Sequence, residues 1–418
     1  MNQFVPNNID IKVVDAPASK SFAQRILLAS AFSNQPLEIQ NLGSCDDVLH
    51  IKSIIKQLGA TIIENENSII VTGKTVHEYK TDKSTLTALN CGESGLGIRL
   101  TTSIVSAIGG DFIISGEGSL LNRPLTQFED FLPKMGINFS LDNGKLPMKL
   151  SGSLKGGEYT VDGSLSSQYI SGLLMALPLA KENSILHVNS PTSKPYIDVT
   201  LHTLSFFGIK IINDNYTKYT ILGNQDYIPK EKTIKVEGDW SGAAFWVVYG
   251  LIKGNITIRN LNRFSTQADV AILDIIQLVN GNFSWKNDNL VISKDQLKPF
   301  TFDATHCPDL FPILVVLASS IIGTSKITGV HRLKHKESDR GLVLQTEFKK
   351  LGLEISINGD SMEIIGAGYL NSGTIDSNND HRIAMSVAIA STLTTEGITI
   401  LNASCVNKSY NEFWEIAL

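Results

Sequence analysis

One pattern, recurring six times along the chain, restricts its fold more than any other feature: a short polar loop followed by a strongly apolar stretch of helical length. The copies are SKSFAQRILLASAF (19–32), GESGLGIRLTTSIVSAIG (92–109), SSQYISGLLMALPLA (166–180), WSGAAFWVVYGLI (240–252), PDLFPILVVLASSI (308–321) and DHRIAMSVAIASTL (380–393). Their starts lie about 70 residues apart, longer than the common solenoid periods. A second element keeps the same beat: a helix ends in an apolar residue plus Gly, and two short alternating strands follow. QLGATIIENENSIIVTG (57–73), KMGINFSLDNGKLPMKLSG (134–152), FFGIKIINDNYTKYTILG (206–223) and KLGLEISINGDSMEIIG (350–366) share this form, with a looser copy at Asn280–Gly281. Gly suits a left-handed helix end, and the alternating Ile, Val and Phe predict hairpins. Each unit is therefore mixed helix and strand.

The first helix of each unit is apolar almost all round, so it is predicted to be buried. A buried helix still has N–H groups at its start without intrahelical partners. Six such helices beginning with polar residues imply six polar ends in need of anions, water or side chains, and helix N-termini attract anions. The alternative is that the repeat is a duplication for stability, with every end satisfied internally.

Composition narrows the function classes. The 418 residues carry a net charge of −5, which excludes a global basic field for nucleic acid but leaves room for local cations. Four cysteines, Cys45, Cys91, Cys307 and Cys405, form no CxxC pair and suggest a reduced, intracellular protein. The start, MNQFVPNNIDIKVV, lacks the basic and apolar regions of a signal peptide. No uncharged apolar run reaches the ~18 residues that span a bilayer. A cytoplasmic location is expected.

The polar residues at the helix starts are Lys20, Ser21 and Arg25 in the first, Arg99 ending the loop of the second, Ser166, Ser167 and Gln168 in the third, Asp309 in the fifth, and Asp380, His381 and Arg382 in the sixth. Ser21 and Arg25 fall on one helix face. Between them lie Arg123 in NRPL, the run Lys336-Glu337-Ser338-Asp339-Arg340, and Lys408. Taken singly, a Ser pair or Asp380 reads as a helix cap and a lone Arg as a surface charge. Recurrence beside apolar helices changes this, because an unpaired charge there is costly. Other motifs fail. Gly73-Lys74-Thr75 would need Gly where Ser68 stands to be a phosphate-binding loop, and GESGLG lacks the GxGxxG spacing. His331 and His335, four apart, could share a helix face, but no zinc pattern supports them.

SKSFAQR (19–25), RP (123–124), VDGSLSSQ (161–168), SKPYID (193–198), HCPD (306–309), KESDR (336–340) and DHR (380–382) together resemble the signature segments of the EPSP synthase family of enolpyruvyl transferases. They stand in the family's order across essentially the whole chain. The resemblance implies an α/β (α+β) fold, a two-domain inverse α/β prism with three βαβαββ units per domain around buried helices. It implies hinges near Ala18–Lys20 and Lys235–Glu237, one domain over 20–235 on the shikimate 3-phosphate side, a discontinuous second domain of 1–19 plus 236–418, and an active site in the cleft between them. It also implies transfer of the enolpyruvyl group of phosphoenolpyruvate to the 5-hydroxyl of shikimate 3-phosphate, with release of phosphate, no metal or organic cofactor, no nucleic-acid or membrane partner, and a monomer.

Carried over by resemblance, Lys20, Ser21, Arg25, Ser166, Ser167, Gln168, Ser193, Asp309 and Lys336 hold shikimate 3-phosphate, with Tyr196 packing near it. Lys20, Arg123, Gln168, Arg340, Arg382 and Lys408 hold phosphoenolpyruvate. Asp309 accepts the hydroxyl proton, and Glu337, with Lys20 sharing acid–base duty, protonates the methylene carbon. Glu93 and Arg332 stand where the family usually shows Asn, so contacts there stay open, as does sensitivity to the family's inhibitor glyphosate. Two rival readings are the related transferase acting on UDP-N-acetylglucosamine and a homologue that binds ligand without turnover.

Overall fold

A computed structural model describes residues 1–79 and 86–418. The chain divides into two compact units, Ala18–Val236 and a discontinuous one made of Met1–Pro17 with Glu237–Leu418.

In the Ala18–Val236 unit, three helices form the interior: α1 (Lys20–Ser30), α2 (Gly95–Ile108) and α3 (Ser167–Ala176). From Gly95 to Ile108 every residue of α2 is buried, as its all-round apolar sequence requires. Helix α2 packs against both α1 and α3. Each core helix belongs to a four-stranded sheet of one pattern. In the third repeat, Glu158–Asp162 runs parallel to Ser184–Asn189, which pairs antiparallel with Lys218–Ile221, itself antiparallel to Ile211–Asp214. The second repeat has the same order with Thr87–Asn90, Phe112–Ser115, Lys145–Gly152 and Ile137–Asp142. The first repeat borrows its parallel strand, Thr233–Lys235, from the end of the unit and lays it beside Leu37–Gln40. The unit is thereby closed on itself.

The discontinuous unit repeats the arrangement around α4 (Trp240–Lys253), α5 (Phe311–Ser319) and α6 (His381–Ala390), which pack on one another in all three pairs. Here the chain's first strands complete two sheets. Val13–Asp15 lies parallel to Ile256–Arg259, and Gln3–Val5 lies antiparallel to Ile398–Leu401. The sixth repeat has three strands where the others have four, because its C-terminal hairpin is replaced by Gln3–Val5 alone.

The glycines of the second motif take the left-handed backbone expected of them, with φ of +96° at Gly59, +86° at Gly136, +76° at Gly208 and +80° at Gly352; in the looser copy Asn280 adopts it at +63°. Two local expectations differ. Arg99 lies within α2, which starts at Gly95, and does not end the loop. His331 belongs to a short 3₁₀ turn, Val330–Arg332, and His335 lies outside it, so the two share no helix face.

A topological rule places the functional residues. In the second, third, fifth and sixth repeats the core helix follows the first parallel strand of its own sheet, whereas α1 and α4 follow Val13–Asp15 and Thr233–Lys235, strands that pair within the other unit; in every repeat the loop to the second helix follows the other parallel strand. Both loops therefore leave a sheet at the carboxyl ends of its parallel strands, the end where open sheets of this kind bind ligands. At the opposite end, the last strand closes on the carbonyls that end the core helix. A Cβ on Gly73 would lie 2.2 Å from the Ala31 carbonyl oxygen, and one on Gly366 would lie 2.1 Å from those of both Ala318 and Ile321.

Those contacts are backbone, so no rotamer change relieves them. Gly366→Ala is expected to cost about 3 kcal/mol, at the upper end for overpacking. Gly359→Ala, at a turn with φ +60° and open space around it, should cost about 1 kcal/mol for its backbone alone. Urea unfolding of both variants checks the difference.

Candidate active site

The Ala18–Val236 unit gathers its polar residues at the starts of α1, α2 and α3. Ser19 caps α1, accepting from the Phe22 N–H. Next to it, Lys20 Nζ pairs with Asp47 Oδ2 at 3.0 Å. One turn on, Arg25 is fully buried. Its Nε donates to Thr200 Oγ1 (2.8 Å), Nη1 to the Ser21 carbonyl (2.7 Å), and Nη2 to Ser171 Oγ (3.4 Å) and the Tyr196 carbonyl (3.2 Å). All of these partners are neutral. Burial accordingly lowers the Arg25 pKa to about 10. A cation held this way, with no carboxylate partner among the described residues, is left to be neutralised by an anion from outside.

Helix α3 is capped by Ser166, whose Oγ accepts from the Gln168 N–H, and Ser167 and Gln168 form its first turn. Ser193 precedes the helix Lys194–Phe206 with φ +50°. That backbone is costly for a residue with a side chain and is concentrated at ligand clamps and switch points. Arg99 ties three of these segments together. Its Nη1 donates to the Gly95 carbonyl (2.9 Å) and Gln168 Oε1 (3.0 Å), and Nη2 donates to the Pro124 carbonyl (3.1 Å). The guanidinium also stacks over Tyr169, 4.8 Å from the ring centroid. Arg123 lies against Gly95 so closely that a Cβ there would fall 2.3 Å from Nη1. Glu93 accepts from the Ser119 N–H (3.0 Å) and Oγ (2.7 Å). Its carboxylate is thus engaged with the 118–119 turn, which accounts for an acidic residue in this loop.

The discontinuous unit carries a denser array. Arg340 begins the helix Arg340–Lys350 and is 1% exposed. Through Nε it donates to Asp380 Oδ2 (2.7 Å), through Nη1 to Asp309 Oδ1 (2.7 Å), and through Nη2 to Glu337 Oε2 (2.8 Å) and Asp380 Oδ1 (3.2 Å). Four of the five N–H groups of a guanidinium are thereby used, leaving one for a ligand. Lys336 Nζ lies 3.2 Å from Asp309 Oδ1, Arg382 Nη2 3.5 Å from Asp309 Oδ2, and Lys408 Nζ 3.6 Å from Glu337 Oε1. Asp380 caps α6 by accepting from the Arg382 N–H (2.9 Å) while gripping Arg340 and accepting from Ser338 Oγ (3.1 Å).

Charge states follow from these contacts. Burial opposes ionisation of Asp309, but Lys336, Arg382 and Arg340 outweigh it and hold the carboxyl well below the usual carboxylate range. Burial likewise opposes the charge on Arg340, and Asp380, Glu337 and Asp309 reverse this to hold its pKa well above the ordinary value. For Lys336 burial wins, aided by repulsion from Arg340 and Arg332, and its pKa is lowered despite Asp309. Arg332 therefore adds positive charge beside Lys336.

All the residues singled out from sequence thus fall at the same end of their repeats. Lys20, Ser21, Arg25, Arg123, Ser166, Ser167, Gln168 and Ser193 lie in the first unit, and Asp309, Lys336, Glu337, Arg340, Arg382 and Lys408 in the second. Three partners carry no signal of their own in the sequence: Asp47 under Lys20, Asp380 as a partner for Arg340 as well as a cap, and Asp269, which accepts from Ser241 Oγ. Each is an acid near the start of a helix, indistinguishable in sequence from a cap or a solvated charge.

Comparison with known proteins identifies the family. The sequence pattern of the family described as EPSP synthase (3-phosphoshikimate 1-carboxyvinyltransferase) matches residues 6–417. A 3-phosphoshikimate 1-carboxyvinyltransferase of Clostridium novyi is 35% identical over 99% of this chain and 95% of its own length. One from Clostridium acetobutylicum is 37% identical over 97% of this chain and 93% of its own. Among solved structures, an EPSP synthase from Acinetobacter baumannii superposes with a TM-score of 0.81 over 100% of this chain and 98% of its own, at 24% identity, a likeness of fold.

Replacing Asp380 by Asn separates its two tasks, since Asn remains a good cap. The loss of the bidentate pair with Arg340 is expected to cost about 3 kcal/mol, the range for breaking a buried ion pair. A loss near 1 kcal/mol in thermal or urea unfolding would show that capping is its main task.

Proposed function

The chain belongs to the EPSP synthase family, and on that premise we propose that it transfers the enolpyruvyl group of phosphoenolpyruvate to the 5-hydroxyl of shikimate 3-phosphate. The observation that carries this reading is Asp309, a half-buried carboxylate ringed by Lys336, Arg340 and Arg382. A carboxylate under three cations is a weak base. The same cations are the groups an anionic substrate needs. As they turn toward substrate, Asp309 loses their stabilisation and becomes able to accept a proton.

Shikimate 3-phosphate is assigned to Ser21, Arg25, Ser166, Ser167, Gln168, Ser193, Lys20, Lys336 and Asp309. Among the described residues no carboxylate pairs with Arg25, which supports this assignment, as does the strained Ser193 backbone. Phosphoenolpyruvate is assigned to Lys20, Arg123, Gln168, Arg340, Arg382 and Lys408. Its carboxylate and phosphate suit the planar forks of the three arginines.

The reaction then runs as addition and elimination. Asp309 takes the proton of the 5-hydroxyl as its oxygen bonds to C2, while Glu337, with Lys20 sharing the duty, delivers a proton to the methylene carbon. This gives a tetrahedral intermediate carrying the phosphate. Glu337 takes back a methyl proton, the C2–O bond to phosphate breaks, and phosphate departs with the electron pair. In the free protein Glu337 is held by Arg340 and Lys408. Both cations are also assigned to the substrate, so its acid role begins once they turn to it. We assign the protein to the cytoplasm as a monomer. Its four cysteines are free thiols, and among the described residues no helix is long and apolar enough to cross a membrane.

The test is phosphate release from phosphoenolpyruvate in the presence of a chelator. Release is expected with shikimate 3-phosphate and not with UDP-N-acetylglucosamine; the opposite pattern would move the chain to the sister activity. Asp309→Asn should lower turnover by roughly 10²–10⁴-fold, the range for a positioned acid–base group, while the protein still folds. Unchanged turnover in that variant would remove Asp309 from the mechanism.

A further inference from the structure

Glu93 has no part in the scheme above, yet it touches the segment that carries one of its cations. Gly118–Asn122 is a 3₁₀ turn, and Arg123 ends it, donating its N–H to the Leu120 carbonyl at 3.1 Å. Glu117, the residue before the turn, gives it no side-chain cap. Glu93 takes that place from a different loop. Its Oε2 accepts from the Ser119 N–H (3.0 Å) and from Ser119 Oγ (2.7 Å). The fit is close: Gly118 takes φ +50°, and a Cβ there would fall 2.2 Å from Glu93 Oε1. A side chain at position 118 would displace the carboxylate.

The loop of Glu93 and the helix that follows it meet the segment of Arg123 at three points. Glu93 holds the start of the turn. Gly95 receives the guanidinium, since a Cβ on it would lie 2.3 Å from Arg123 Nη1. Arg99 fixes the residue after Arg123, donating from Nη2 to the Pro124 carbonyl (3.1 Å). Leu120, fully buried, anchors the middle of the turn in the core. Arg123 thus sits between two tethered residues, Ser119 on one side and Pro124 on the other.

We propose that Glu93 is a positioning residue for Arg123: by capping the turn Gly118–Asn122 it sets the place of a guanidinium that binds phosphoenolpyruvate, and it acts through its reach rather than its charge. The proposal rests on the assignment of Arg123 to phosphoenolpyruvate made above. Both bonds from Ser119 end on one oxygen, and an amide carbonyl, with two lone pairs, can accept the same two. The negative charge itself works against an anion bound at Arg123. Reach and charge therefore predict different results when Glu93 is neutralised.

Three substitutions separate them. Glu93→Gln keeps the length and loses the charge, Glu93→Asp keeps the charge and is one methylene shorter, and Glu93→Ala loses both. Phosphate release would be measured with phosphoenolpyruvate varied at saturating shikimate 3-phosphate, and with the roles reversed. The Ala and Asp variants are expected to raise KM for phosphoenolpyruvate about tenfold, the scale of one hydrogen bond to a charged group. KM for shikimate 3-phosphate should stay within about twofold of the wild type, and kcat should change less than KM, as for a contact made alike in ground and transition states. The Gln variant should remain within about threefold of the wild type, because it keeps both bonds in weaker, neutral form. Hydrogen exchange of residues 118–123 in the ligand-free protein should be faster in the Ala and Asp variants and near wild type in the Gln variant. If the Ala variant does not fold, the Asp and Gln pair carries the test alone. A wild-type KM in the Asp variant would overturn the proposal, as would a Gln variant whose KM rises as in Ala or falls well below the wild type. Equal rises in KM for both substrates would make the role a general structural one and overturn it too. Should the wild type release no phosphate, the assigned reaction fails separately: calorimetry of phosphoenolpyruvate binding must still rank the Gln variant with the wild type and the Asp variant below them, and loss of that order would sink the proposal.

Discussion

Arg340 stays charged although it is almost wholly enclosed, because three carboxylates from three separate elements close on it. Asp309 comes from the segment before α5, Glu337 from the loop before the helix of Arg340, and Asp380 from the cap of α6. Without the guanidinium these would be one buried and two partly buried negative charges in mutual repulsion. Without the carboxylates the guanidinium would be an uncompensated buried cation. Either loss is expensive in a medium of low polarity. The proposed base and the proposed acid thus hang from the same planar fork, and their separation is set by its geometry rather than by flexible side chains.

The repeat explains why such a joint can exist. A helix that is apolar on all sides is driven inward, but its first turn must remain polar. Each sheet delivers that turn, and the loop after its second strand, to the carboxyl ends of the parallel strands. Three copies in one unit therefore gather Lys20, Arg123 and Ser166–Gln168 near one end of their sheets, and three copies in the other gather Asp309, Lys336, Arg340 and Arg382 likewise. The pattern even reuses a device. Asp47, at the start of the second helix of one repeat, pairs with the first residue of α1, and Asp269, at the matching place in another, bonds to the second residue of α4.

Much of this was legible in the sequence because it depends on periodicity. The six apolar helices, the glycines at Gly59, Gly136, Gly208 and Gly352, and the hairpins after them are local patterns, and each appears in the fold. Strand exchange was not legible. Nothing in TIK at 233–235 says that it closes the first sheet, or in QFV at 3–5 that it completes the last, because both pairings join residues far apart in the chain. The cations at the helix starts could be singled out, since a charge beside an apolar run is unusual. Their carboxylate partners could not. Asp47, Asp269 and Asp380 look like ordinary caps until the fold shows what they face. Glu93 is the converse: it looks unfavourable beside an anion site in sequence, and the Ser119 N–H and hydroxyl account for it.

The claim that Arg340 fixes the acid and base in one frame is most directly tested with Arg340→Lys, which keeps the charge but replaces the fork with a point donor. Phosphate release from phosphoenolpyruvate with saturating shikimate 3-phosphate would be measured beside thermal unfolding of the same sample. A rate lowered by about 100-fold or more is predicted, the scale of loss expected when reacting groups shift by about 1 Å, in a protein that remains folded at the assay temperature. A folded variant turning over within a few-fold of the wild type would contradict the account.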